Sequence, residues 1–357
     1  NLNMKKFKLI ITIALIPMLI IIKNIEIGNL IVEKYYSNLL YLFISEKLRF
    51  ITGWISIPVG DILYLFIILS LIYFLLKGGI KYQSLILNLG SSAFLFVFLF
   101  YMLWGFNYKR TPIIDLLGMN SNFEKKELID FTEALIVKIN KKHLLLFNYD
   151  SIRPINKYSF RESVKISSKN ILNLEEKFKK PIIRSEYKNI SVKKSLFSLP
   201  LSYMGFSGYI NPFTNEANIN YMIPSTSQIF VINHEMMHQL GIASEKDANF
   251  LSYVTLINSD DEYLKYCGLS YALRLCLNEL SKIDNNKYQY FLKKVNKGII
   301  KDYVEINKFW KSYEGKVEQV SKKSYDLYLK QNNIKSGIKN YNESISLILK
   351  YNLEVNE

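Results

Sequence analysis

The sequence predicts an α-helical membrane region with three transmembrane helices, followed by a mainly α, α+β domain carrying a small β-hairpin or sheet. Three observations predict it. The apolar text is gathered into three runs within the first 106 residues. Charge and helical periodicity take over from Asn107. One stretch, 205–223, is broken by Gly, Pro and Asn in the manner of a hairpin. The chain of 357 residues carries a net charge of +15 and a mean hydropathy of +0.05. A positive mean beside so much charge requires the apolar residues to be concentrated in one part. Lys, Ile, Asn and Tyr are abundant throughout, so basic runs carry little information. No motif with a nucleic-acid mechanism is present, and nucleic acid is excluded as a partner.

The expected spans are about 7–23, 61–77 and 84–106, each of a length that crosses or nearly crosses a hydrocarbon core of ~30 Å. The first follows a basic start, lacks a small-residue cleavage site and reads as a signal anchor. Residues 31–50 are amphipathic and charged, and predict an interfacial helix on the lipid bilayer. Lys5, Lys6 and Lys8 precede the first span, and Lys77 and Lys81 separate the second from the third. The positive-inside bias places these in the cytoplasm and residues 107–357 outside it. The expectation is a multi-pass protein of the cell membrane with an extracytoplasmic domain over 107–357. Nine of the 46 basic and four of the 31 acidic residues precede Phe106, so that domain carries about +10.

Within it, "SNFEKKELIDFTEALIVKIN" opens on a capping box from Ser121 to Glu124 and predicts a long helix. Two extended pieces, near 205–211 and 216–223, predict a hairpin turning at "NPFTNE", with the later strand edging a cleft. "STSQIFVINHEMMHQLG" predicts a helix capped by Ser225 or Ser227 and ended by Gly241. Residues 260–357 read as helical, with breaks near Gly268, Asp284–Asn286 and Gly337. Cys267 and Cys276, nine residues apart, do not predict a disulfide.

His234 and His238 stand at i and i+4 on one helical face, with Glu235 between them in H-E-x-x-H order. At this spacing two imidazoles bind one Zn²⁺, which acidifies water and polarises a carbonyl, and the glutamate acts as general base. Only His143 remains among the histidines, and it lies far upstream at a helix end. All eight methionines lie at or before Met237, so the methionine turn of metzincins is missing. Glu245 and Asp247 remain as nearby candidates for the third ligand. Gly241 breaks the helix, and Ser244 can cap a new one whose first turn brings Glu245 toward the histidines. Asp247 and Asn249 are candidates for orienting a ligating imidazole. Tyr203, Tyr209, Tyr221 and Tyr253 are close in sequence, but tyrosine is so frequent that packing explains each better.

Glu245-x-x-Ala248-Asn249 is similar to the glutamate-bearing helix of gluzincins, which implies Glu245 as the third ligand. The chain as a whole resembles the bacterial membrane-protein family catalogued as domain of unknown function 3810. The likeness is carried by the spans and by "GFNYKRTPI", "SYMGFSGYINPFTNEANIN", "HEMMHQLGIASEKDANFLSY" and "YDLYLKQNNIKSGIKNY". It implies a zincin-like metallopeptidase domain on a membrane anchor, with His234, His238 and Glu245 on Zn²⁺ and Glu235 as the catalytic base. The expected function is a membrane-anchored zinc-dependent metallopeptidase acting on an unknown peptide or protein. The alternative is a non-catalytic membrane sensor or assembly protein with a structural zinc site, which would not need Glu235. An intramembrane protease would need the motif inside an apolar span, and "QIFVINHEMMHQLGIASEKD" is too polar.

Overall fold

A computed structural model describes residues 2–24, 29–77, 82–120, 122–178, 182, 187–332, 334, 336–337 and 343–355. The N-terminal part is helical: α1 (Leu2–Asn24), a run made of α2 (Asn29–Ile31), a π-helical Val32–Leu40 and α3 (Tyr41–Gly53), then α4 (Val59–Leu76) and α5 (Tyr82–Leu103). Among the described residues two helices, α4 and α5, are long and apolar enough to cross a membrane, where the sequence predicts three. Helix α1 carries Lys5, Lys6 and Lys8 in its first turns, which leaves 14 residues between Lys8 and Lys23, roughly 21 Å of helix. It lies along α5, where Lys8 donates to Asn88 at 2.6 Å. Lys109, just past α5, donates to the carbonyl of Ile22 at 2.7 Å, so the two helices run in the same direction. Lys81 lies outside the described residues.

The run over 29–53 is helical as expected, but one face of it is buried in protein. Glu33, Ser37, Tyr41, Ser45 and Arg49 are all buried. In a plain α-helix, steps of four drift by roughly 40° each. The wider π turns offset part of that drift, and Tyr41 N donates to Tyr36 O across one of them. The other faces keep Tyr35, Leu39, Phe43 and Phe50 exposed.

The remainder forms α6 (Ile113–Leu117), α7 (Lys125–Phe147), α8 (Phe160–Ile171), β1 (Val192–Lys194), α9 (Ser198–Met204), β2 (Gly208–Ile210), β3 (Ala217–Ile219), α10 (Ser225–Gln239) and α11 (Glu245–Ile257). Then come α12 (Glu262–Ile283), α13 (Asn285–Lys294), α14 (Lys297–Tyr313), α15 (Lys316–Gln331) and α16 (Ser344–Val355). Helix α7 starts later than predicted. Ser121 lies outside the described residues, and the capping box is Glu124 with Glu127. Gly268 does not break α12. A Cβ there would stand 2.9 Å from that of Leu256, so the glycine lets α11 and α12 approach closely. Cys267 and Cys276 are buried free thiols.

The predicted hairpin exists. Asn211 Oδ1 accepts from Phe213 N and Thr214 N, Asn215 takes a left-handed φ of +52°, and Asn211 N closes the turn onto Glu216 O. Its place in the sheet differs from expectation. The order is β1-β3-β2, with β1 parallel and β2 antiparallel to β3. The later strand, β3, is therefore central and fully buried, and the edge facing the motif helix belongs to β2. Three residues of "VKK" give too short an alternation to signal β1 in the sequence.

Helix α10 is buried along its length and packs on β3, α8, α11 and α12. It starts at Ser225 after Pro224, without the side-chain cap expected of Ser225 or Ser227, and Thr226 Oγ1 donates instead to Asp302 at 2.8 Å. Its C-terminal carbonyls are met by donors from the other half of the chain. Tyr41 OH reaches His238 O and Gln239 O, and Arg49 Nη1 reaches Gln239 O at 3.1 Å. Trp104 Nε1 reaches His238 O, while Arg110 Nη1 reaches Leu240 O and Gly241 O.

Arg49 is 1% exposed and also donates to Asn215 Oδ1 at 2.8 Å and Lys188 O at 3.3 Å. Replacing it strands the buried Asn215 Oδ1 and removes a charged donor from the Gln239 and Lys188 carbonyls, and hydrogen bonds to charged groups contribute about 1.5–3 kcal/mol each. Arg49→Met is expected to lower the unfolding free energy of the detergent-solubilised protein by about 3 kcal/mol. Arg49→Lys should recover little, because an ammonium cannot reproduce the fork. Thermal unfolding checks this; an unchanged midpoint for Arg49→Met would refute the role.

Candidate metal centre

His234 and His238 project from the last two turns of α10. Their Nε2 atoms lie 3.1 Å apart and their rings are nearly perpendicular, at 87°. The reversal that follows is fixed by Gly241, at φ +80°. A Cβ there would meet the ring of Tyr41 and Asn107 Oδ1 within 2.9 Å, so only glycine fits. Ile242 N bonds back to Met237 O, and Ser244 becomes the N-cap residue of α11. Glu245 is then the first residue of α11 and returns to the histidines only seven positions after His238. Its Oε2 lies 3.1 Å from His234 Nε2 and 3.6 Å from His238 Nε2.

These three residues are buried, and their ligand atoms lie within 4.8 Å of one another, so the cluster could hold a metal ion. Two features fit an ion. A tetrahedral centre with bonds of about 2.0–2.1 Å puts its ligand atoms roughly 3.3–3.4 Å apart, close to the separations of 3.1, 3.1 and 3.6 Å. Glu245 Oε2 is also buried without a hydrogen-bond donor, while Oε1 accepts from Tyr325 OH at 2.5 Å. On the other side, His238 Nδ1 meets Ile242 O at 2.6 Å. A proton on Nδ1 there leaves the Nε2 lone pair aimed into the cluster.

The two glutamates of the site have opposite electrostatics. Burial alone would raise the Glu245 carboxyl, but the His238 and His234 imidazoles outweigh it and hold the group well below the usual carboxylate range. Burial disfavours a charged His238, yet the Glu245 carboxylate lifts that pKa to about 9. Protons and a metal ion thus compete for the same atoms. Glu235 is pushed up to about 7 by burial, against the pull of His238 and His234. Its Oε2 has no hydrogen-bond partner, and Oε1 lies against Gly208 of β2, where a Cβ would come within 2.7 Å.

The other sequence candidates fall elsewhere. Asp247 does not reach either imidazole. Its Oδ2 meets Ile113 N at 3.5 Å, and burial pushes it up to about 6. Asn249 is buried with Nδ2 unpartnered. The orienting contacts expected of these two come from the Ile242 carbonyl and from Tyr325. Two residues along α11 rotate Asp247 about 200° from Glu245, which turns it away from the histidines. His143 bonds to Ile152 O at 2.9 Å and Asn296 at 3.1 Å, remote from the cluster. Tyr253 donates to Asn352, Tyr209 to Asp61, and Tyr203 packs on Tyr313. Tyr325 is the site residue that sequence reasoning missed. It stands 80 positions after Glu245, and nothing in its surroundings sets it apart from the other 25 tyrosines.

The fold and site define a mostly helical protein with two candidate membrane helices and a buried His-His-Glu cluster able to hold a metal ion. The chain belongs to the family described as "Protein of unknown function (DUF3810)", whose profile matches residues 36–349. No curated protein and no solved structure matches it.

The geometry ranks the carboxylates. Glu245→Ala is expected to weaken metal binding by more than the ~10–100-fold that accompanies loss of a ligand's supporting contact. Tyr325→Phe should fall within that smaller range, and Asp247→Ala should leave affinity unchanged. Competition against a chromophoric chelator measures all three. Loss of the metal in Asp247→Ala with retention in Glu245→Ala would reverse the assignment.

Proposed function

We propose that this protein is a membrane-anchored, zinc-dependent metallopeptidase with a zincin-like centre, in which His234, His238 and Glu245 hold Zn²⁺ and Glu235 is the general base. The single observation that carries this reading is the convergence of three ligand atoms at tetrahedral spacing beside a fourth, non-ligating carboxylate. Two nitrogens and one oxygen suit Zn²⁺. Bound there, the ion would acidify a water and polarise a carbonyl.

The remaining work falls to the chain's own groups. Glu235 needs no role in holding an ion, and burial places its pKa near the operating range of a base at neutral pH. It takes a proton from water on its carboxylate and returns it to the leaving amine. Gly208 lets the backbone of β2 pass directly over that carboxylate. As the edge strand of the sheet, β2 offers its free side to an extended peptide. The H-E-x-x-H motif, its seven-position return to Glu245 and the adjacent edge strand together support hydrolysis over a structural zinc site.

Glu235→Gln is expected to keep about one zinc per chain and to lose 10²- to 10⁴-fold in turnover. Gly208→Ala should also retain zinc while depressing turnover, because the new methyl displaces the Glu235 carboxylate. Metal analysis beside a peptide-library cleavage assay checks both. Full function in Glu235→Gln together with loss of folding in His234→Ala would show a structural zinc instead.

We place the metal centre on the outer face of the cell membrane. The support is the lysine bias: Lys5, Lys6 and Lys8 lie at the start of α1, beside the start of α5, while the site lies at the far end of both helices. Protease added to intact spheroplasts should digest the region after Phe106. Protection until lysis would invert the topology.

A further inference from the structure

We infer that the substrates are polypeptides anchored in the same bilayer, cut a few residues from the point where they leave it. This rests on the peptidase reading and adds the substrate class. Three contacts set the height of the site above the membrane.

The first is at the end of α5. Trp104 follows the last residue of that apolar helix, and its Nε1 lies 3.4 Å from the carbonyl of His238. The two rings are 6.3 Å apart. One metal ligand therefore sits within a residue's length of the span. The second is at the start of α4. Val59 N and Gly60 N donate to Glu216, which Lys193 Nζ also meets at 3.1 Å. Asp61 accepts from Ser195 Oγ at 2.9 Å, Leu196 N at 2.6 Å and the hydroxyl of Tyr209 on β2. The edge strand beside Glu235 is thus fastened to the first turn of a membrane helix. The third is the hairpin turn. Phe213 packs on Phe96 at 4.9 Å and on Tyr64 at 6.4 Å. Phe96 lies seven residues before Leu103, roughly 10 Å back along α5. The tip of the hairpin therefore reaches down beside the spans.

The surrounding surface agrees. Trp54, just after the run over 29–53 and five residues before α4, is exposed, and tryptophan is enriched at the edge of a bilayer. A site one side chain's reach beyond the end of α5 is reached by a few extended residues, each adding ~3.3 Å. A soluble chain must approach across the headgroups, whereas a tethered one is already confined at high effective concentration.

The test uses the full chain, loaded with zinc and reconstituted in phosphatidylcholine vesicles containing phosphatidylglycerol. Substrates are quenched-fluorescent peptide libraries carrying a transmembrane anchor through spacers of about 5 or about 25 residues, and the same libraries without an anchor. The short spacer should be cut at least 10-fold faster than both the long spacer and the free peptide. Because both anchored libraries are equally concentrated on the vesicle, the spacer comparison reports height and not mere co-localisation. Equal rates for the two spacers, with Glu235→Gln silencing both, would leave the peptidase reading intact and overturn this inference. No Glu235-dependent cleavage of any library would overturn both.

Discussion

The C-terminus of helix α10 is the constraint on which the site depends. A helix ends with carbonyls that have no partner within it, and leaving them bare in a buried place is costly. Here that end carries His238 and lies in the interior. Its carbonyls are met by Tyr41, Arg49, Trp104 and Arg110, all from the first third of the chain. Two of the four are guanidinium groups, which also suit the negative end of the helix dipole. Arg110 is itself held by an ion pair to Glu33, and Tyr41 accepts from Asn215 of the hairpin turn. The imidazole of His238 is thus set by contacts from α3 and from the residue that follows α5.

The same end of the helix explains how so short a return to Glu245 is possible. With the carbonyls occupied from outside, the chain can reverse at Gly241 and begin α11 within four residues. Ile242, inside the reversal, uses its carbonyl to fix His238. Environment then separates two identical side chains. Glu245 sits between imidazoles with a tyrosine donating to it, and stays ionised. Glu235 is buried under β2 without a donor on Oε2, and holds its proton to a higher pH.

Much of this was legible in the residues. The i, i+4 histidines required a helix, Gly241 a reversal and Ser244 a restart, and those three local rules bring His234, His238 and Glu245 together. The hairpin followed from Asn211, Pro212 and Asn215. What was not legible came from long-range packing. Tyr325 meets Glu245 from a helix 80 positions away, and Arg49 meets Gln239 across 190. No local pattern marks either residue. The strand β1 is three residues long and takes its identity from pairing with β3. The run over 29–53 is amphipathic in the sequence, yet hydropathy alone could not say that its polar stripe faces protein. The first expected span, 7–23, has no counterpart among the two candidate spans that the described residues show.

The dependence of α10 on Tyr41, Arg49 and Trp104 bears on how the molecule can be divided. Composition invites a cut at Asn107, which would yield a hydrophilic fragment containing His234, His238 and Glu245. That fragment would lack three of the four side chains that meet the carbonyls around His238, and Arg110 would lose Glu33. Water would enter at the base of the His234–His238–Glu245 cluster, and a helix end built to be dry would fray. Apparent inactivity of such a fragment would say nothing about the intact protein. The natural unit for purification is therefore the whole chain, because Tyr41 and Arg49 of the run over 29–53 and Trp104 after α5 hold the helix end that carries His238.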